Sequence, residues 1–137
     1  MSFLDGQADC IIKYSENAAP ILLSGTVTEG DCLGYSGGWE RALATVGSVV
    51  QMKCVAGEDG VSEQTITAYF GFCILGGERF SGATTDGAIY VAEGTSNGMY
   101  TDTLPSTVGD ATGQIGIALD ATTLLVYPQR NAHSVKA

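Results

Sequence analysis

Val49-Val50-Gln51-Met52-Lys53-Cys54-Val55, followed by Ala56-Gly57-Glu58-Asp59-Gly60 and then Thr65-Ile66-Thr67-Ala68-Tyr69-Phe70-Gly71-Phe72-Cys73-Ile74-Leu75, is the stretch that decides the fold. Its two outer segments are rich in β-branched and aromatic residues, which suit an extended, pleated backbone. Between them, Asp59-Gly60 favours a left-handed turn. The expectation is a pair of antiparallel strands.

Working outward, the same texture recurs. Cys10-Ile11-Ile12-Lys13-Tyr14 and Ala19-Pro20-Ile21-Leu22-Leu23 flank Ser15-Glu16-Asn17, a hairpin-like interval. Gly30-Asp31 opens Cys32-Leu33-Gly34-Tyr35, which ends at a tight turn, Ser36-Gly37-Gly38. Trp39-Glu40-Arg41-Ala42-Leu43-Ala44 fits one helical turn or a strand, and so short a run has no period that decides between them. Ala88-Ile89-Tyr90-Val91, Gly98-Met99-Tyr100-Thr101 and residues 114–119 and 123–127 are further short strands bounded by Gly, Asp or Pro. With no amphipathic helix between strands, the fold class is all-β: a small barrel or a sandwich of short antiparallel strands. A chain of 137 residues makes one domain. Residues 1–18 read as an N-terminal extension or arm, 19–128 as the β domain, and 129–137 as a polar, flexible tail.

Composition narrows the function. Nineteen glycines are about twice ordinary usage, and they fall between the strands as hairpin punctuation. Charged residues are only 15% and hydrophobic residues 45%, which excludes disorder driven by charge. The net charge of −9, with six basic residues scattered from Lys13 to Lys136, disfavours nucleic acid and anionic membranes. No apolar run approaches the roughly 20 residues of a transmembrane helix. The first six residues, Met1-Ser2-Phe3-Leu4-Asp5-Gly6, lack the pattern of a secretory signal, so synthesis in a reducing cytosol is expected. Cys10, Cys32, Cys54 and Cys73 lie about 20 residues apart among apolar neighbours, without metal-ligand spacing, and read as small buried hydrophobes.

The chemical motifs are wanting. His133 is the single histidine, placed in the polar tail, and neither a nucleophile elbow nor a Cys/His pair accompanies it. None of Lys13, Lys53 and Lys136 follows the glycine that a phosphate-binding loop requires. Glu29, Asp31, Glu58, Asp59, Asp86, Asp102, Asp110 and Asp120 mostly flank Gly or Thr, where carboxylates bond nearby backbone in turns. A facing pair of carboxylates would serve a hydrolase, but no motif singles one out. No calcium-loop pattern occurs, and no catalytic residue, metal or cofactor is assigned. Tyr69, Phe70 and Phe72 read as core, while Trp39, between Gly37-Gly38 and Glu40-Arg41, reads as a surface aromatic suited to anchor an interface. A sugar- or receptor-binding β module using Trp39 and tyrosines is the alternative function.

The succession of segments resembles a family of small phage structural proteins, the capsid decoration or cement proteins filed as domain of unknown function 2190. The residues that carry the resemblance are Gly25-Thr26-Val27 with Thr28-Glu29-Gly30-Asp31, the central strand pair, and above all Phe80-Ser81-Gly82-Ala83-Thr84-Thr85-Asp86-Gly87-Ala88-Ile89-Tyr90-Val91. Gly98-Met99-Tyr100-Thr101 and Gln114-Ile115-Gly116-Ile117-Ala118-Leu119-Asp120 complete it, over residues 20–128. The first 20 residues and Trp39-Glu40-Arg41 depart from the family pattern. The resemblance implies a non-enzymatic β-barrel or β-tulip protein of the virion that assembles as a homo-oligomer, a trimer by preference. Its implied partner is the major capsid protein, which it would lock from the outside of the head. Phe3 and Leu4 are then the expected exposed apolar residues of an arm that reaches a neighbouring subunit.

Overall fold

A computed structural model of the chain describes residues 3, 5, 6, 9–128 and 135–137. Among these residues the chain forms eleven short strands and one 3₁₀ turn, Glu78–Phe80. Two antiparallel sheets lie in a sandwich-like arrangement, and neither closes into a barrel. With strands numbered in chain order, the six-stranded sheet runs β1 (Ile11–Tyr14), β7 (Cys73–Gly76), β11 (Thr123–Val126), β10 (Gln114–Asp120), β8 (Ala88–Val91), β9 (Tyr100–Thr101). The five-stranded sheet runs β2 (Ala18–Leu22), β6 (Thr65–Tyr69), β5 (Cys54–Ala56), β3 (Cys32–Tyr35), β4 (Trp39–Arg41). Trp39-Glu40-Arg41 is thus a strand, paired with β3 across the Ser36-Gly37-Gly38 turn.

The deciding stretch folds as a pair over a shorter span than expected, with Val55 opposite Tyr69 and Ala56 opposite Ala68, while residues 49–53 lie outside the strands and Val50 bridges Leu43 instead. Its second half is not one straight strand. The chain leaves the five-stranded sheet after Tyr69, turns at Phe70-Gly71-Phe72, and enters the other sheet as β7. Ser15-Glu16-Asn17 makes the same passage in reverse: β1 pairs with β7 and β2 with β6, so the interval is a crossing between sheets and not a hairpin. The two crossings lie side by side, because the Phe70 amide donates to Asn17 O and the Gly71 amide to Glu16 O. One long two-stranded ribbon is therefore bent across both layers, with Asn17 at φ 58 supplying the left-handed kink. Phe72, expected in the core, is 44% exposed at this bend and packs edge-on against Tyr127.

Two apolar clusters hold the layers. Val55, Leu75, Ile89, Ile115 and Leu124 belong to the cluster to which both sheets contribute. Ile21, Leu33, Cys54, Ala56 and Ile66 form a second cluster on the opposite face of the five-stranded sheet. That sheet curls around its second cluster, and its two outer strands touch at one point, a bridge between Leu23 and Trp39. Strands β3 and β5 consequently bury both faces, which explains why Cys32-Leu33 and Cys54-Val55-Ala56 do not alternate with polar residues. Cys32, Cys54 and Cys73 are buried free thiols, and Cys10 is half-buried.

Each fully buried leucine or isoleucine contributes about 1.5–3 kcal/mol relative to exposure. Leu33→Ala is expected to lower the unfolding free energy by about 3 kcal/mol, because Leu33 is fully enclosed in the second cluster. Leu119→Ala, at a position 39% exposed, should stay within about 0.5 kcal/mol. Urea titration of the two variants checks this contrast.

Candidate functional site

The residues expected at an interface occupy three different settings. Phe3 is buried, only 2% exposed, with its ring 6.3 Å from that of Phe80. Leu4 lies outside the described residues. Around them the Asp5 amide donates to Tyr100 O (3.0 Å) and the Asp102 amide to Phe3 O (3.1 Å). Residues 3 and 5 thus pair antiparallel along the outer edge of β9, and Phe3 closes the core instead of projecting from it. The reading of residues 1–18 as an arm is corrected accordingly: Phe3 and Asp5 are packed into the domain, and Ile11–Tyr14 is a strand of it. At the other end, Val135 bridges Ala111 and the Lys136 amide donates to Asp110 O, so this part of the tail packs on the domain. His133 lies outside the described residues.

Beneath Phe3 is a buried charge cluster. The Arg79 guanidinium donates from Nε to Asp5 (2.7 Å) and from one terminal nitrogen to Asp31 (2.8 Å), with all three side chains fully enclosed. Its remaining contacts are Glu29 O at 3.0 Å and Gly98 O at 3.3 Å. Asp31 also takes Arg41 Nε at 2.7 Å and caps the Thr28 amide at 2.9 Å. Two carboxylates thus meet two guanidinium groups. Phe80 and Tyr100 place their rings 5.5 and 5.9 Å from the Arg79 guanidinium carbon. Burial works against the charged guanidinium, but the Asp5 hydrogen bond and the charges of Asp5 and Asp31 outweigh it and hold Arg79 above the ordinary arginine value. Gly30, at φ 90, is required here: a Cβ would stand 2.6 Å from Cys10 Sγ, and its carbonyl accepts the Tyr100 hydroxyl at 2.7 Å. The arrangement joins chain segments, and its Arg79 donors are engaged within the protein.

A second feature opens outward. Beside β2 and the tip of the β3–β4 hairpin lies a groove of about 670 Å³, walled by Leu22, Ser24, Tyr35, Trp39, Ser62 and Glu63 among others. Leu22 and Tyr35 are each 60% exposed. Trp39 is half-buried, edge-on to Tyr35 at 5.3 Å and to Phe70 at 5.5 Å, so it is both a wall of the groove and a lid on the second cluster. Glu63 holds the left-handed conformation, φ 73, with its amide bonded to Leu23 O at 2.8 Å. Serine, glutamate and aromatic residues around one depression are residue types that suit recognition by shape and hydrogen bonding.

Comparison of the chain with family models, with curated proteins and with solved structures finds no match. Sequence reasoning missed the partnership of Arg79 with Asp5 and Asp31, because Asp31 reads as a turn residue and Asp5 as part of an arm. The available signal was Arg79 itself, a lone cation between the apolar run ending at Leu75 and Phe80. Tyr35 and Glu63 carry no sequence signal beyond their turns.

Two measurements follow from these surroundings. Arg79→Leu leaves buried carboxylates without their main cation, and equilibrium unfolding should show a loss of about 3–5 kcal/mol. Arg41→Leu, at a side chain 26% exposed, should lose about 1 kcal/mol or less. Burial pushes the Cys54 thiol from 9.0 up to about 12. Between those values the folded thiol stays protonated while the unfolded one ionises, so unfolding releases a proton and stability falls as pH rises through this window. Cys54→Ala should flatten that decline in urea titrations run across this window, from pH 9.0 upward toward about 12.

Proposed function

We propose that this chain is a non-enzymatic phage virion protein, a decoration protein that binds the outer capsid surface and stabilises the head. In this reading it is made in the host cytoplasm, assembles as a homo-oligomer with a trimer favoured, and takes the major capsid protein as its partner. The observation that carries the reading is the exposure of large apolar side chains on the outer strands of both sheets: Ile11 at 61% and Tyr14 at 48% on β1, and Leu22 at 60% on β2. Apolar edge strands are a hazard to a protein that stays alone and a ready contact for one covered by copies or by a shell. The resemblance over residues 20–128 supports the same assignment. So does the charge of −9, which suits the outside of a head better than the DNA-filled interior.

Light scattering of the purified chain should give about three times its mass of 14.1 kDa. Incubation with phage heads assembled without it should leave it co-sedimenting with them, and Ile11→Lys combined with Leu22→Lys should abolish that association at unchanged fold. A monomer that fails to sediment with heads overturns the proposal.

A further inference from the structure

The groove between β2 and the hairpin tip shares Leu22 with the outer strand invoked for capsid contact, but its other walls have a ligand chemistry of their own. Two occupants compete for such a place: an extended polypeptide added to the free edge of β2, or a small polar ligand seated on the side chains. Backbone directions decide between them. The Leu23 amide donates inward to Gln64 O, and the Ser24 amide donates to Trp39 O on the other side. By this alternation Ala18, Pro20 and Leu22 turn their backbone groups toward the groove side. Pro20, the central one, has no N–H, so an added strand would find its middle donor missing.

The side chains fit the second occupant. We infer that the groove binds a neutral oligosaccharide. Tyr35 offers an exposed ring on which the C–H face of a pyranose can lie, and Trp39 stands edge-on behind it. Glu63, Ser62 and Ser24 line the same space, and their carboxylate and hydroxyl groups are of the kind that exchanges hydrogen bonds with sugar hydroxyls. Ser24 Oγ, already donating to Trp39 O at 3.1 Å, presents its lone pairs. The groove volume lies within the roughly 300–1,000 Å³ usual for small-ligand sites. Glu63 is held in the left-handed region, φ 73, a conformation strained for a non-glycine residue, which fixes its place beside the groove. The acid in the groove and the net charge of −9 select against sialylated or sulfated sugars.

Trp39 is the single tryptophan, so its fluorescence reports the groove directly. The full chain is titrated with maltotriose, cellotriose, chitotriose and mannotriose, with 3′-sialyllactose as the anionic control and an extended Val/Lys peptide as the strand control. At least one neutral trisaccharide should give a saturable change. Tyr35→Ala and Glu63→Gln should each weaken it about tenfold. Glu63→Gly removes the strain together with the carboxylate, and is expected to raise the melting midpoint while weakening binding by a similar factor, which separates recognition from folding. The inference is overturned if no neutral trisaccharide saturates, if only sialyllactose or only the peptide does, or if binding survives both Tyr35→Ala and Glu63→Gly. Failure to bind heads would leave it standing.

Discussion

The fully enclosed guanidinium of Arg79 is the interaction on which the assembly of this fold depends. A buried charge is tolerable only where partners surround it. Here the partners come from three separated parts of the chain, Asp5 near the N-terminus, Glu29 and Asp31 between β2 and β3, and Gly98 with the Tyr100 ring at β9, joined by the ring of the adjacent Phe80. Satisfying one residue therefore fixes the N-terminal segment on the edge of the six-stranded sheet and ties that sheet to the loop entering the five-stranded one. Among the described residues no buried side-chain nitrogen or oxygen is left without a hydrogen bond, so this interior polarity is fully compensated.

The exterior shows the opposite economy. Charges are satisfied inside, while Ile11, Tyr14, Leu22 and Tyr35 stand in solvent on or beside outer strands. Pro20 blunts the edge of β2 beside Leu22, which guards against indiscriminate strand pairing while leaving the neighbouring side chains free to make contacts. Surface recognition in this protein is thus a matter of side chains more than of backbone.

Much of the fold was legible in the sequence because β-propensity and turn chemistry act locally. The pairing of β5 with β6, the turn at Gly37-Gly38, the short strands after residue 88 and the buried thiols all rest on neighbours in sequence. What was not legible is non-local. Nothing in Ser15-Glu16-Asn17 distinguishes a hairpin from a crossing, since the decision is made by Phe70 and Gly71, more than fifty positions away. The site was obscured for the same reason. Phe3 looks like a loose terminal apolar residue until Phe80 and Tyr100 are placed beneath it, and Asp31 looks like an ordinary turn residue until Arg79 and Arg41 converge on it. Trp39 reads as a surface aromatic from its flanking residues but is half-buried over the second cluster, and its neighbours Tyr35 and Glu63 acquire meaning only from the groove they share with it.

The ribbon bent across both sheets has a consequence for folding. Because β1–β2 and β6–β7 each give one half to either layer, neither sheet can assemble or come apart while the other keeps its strands. The two apolar clusters are mechanically one cooperative unit. The barrier to reaching it includes closing the long loop between Ile11 and Gly76, a distant pairing that slows folding and makes partial unfolding unprofitable once it is formed.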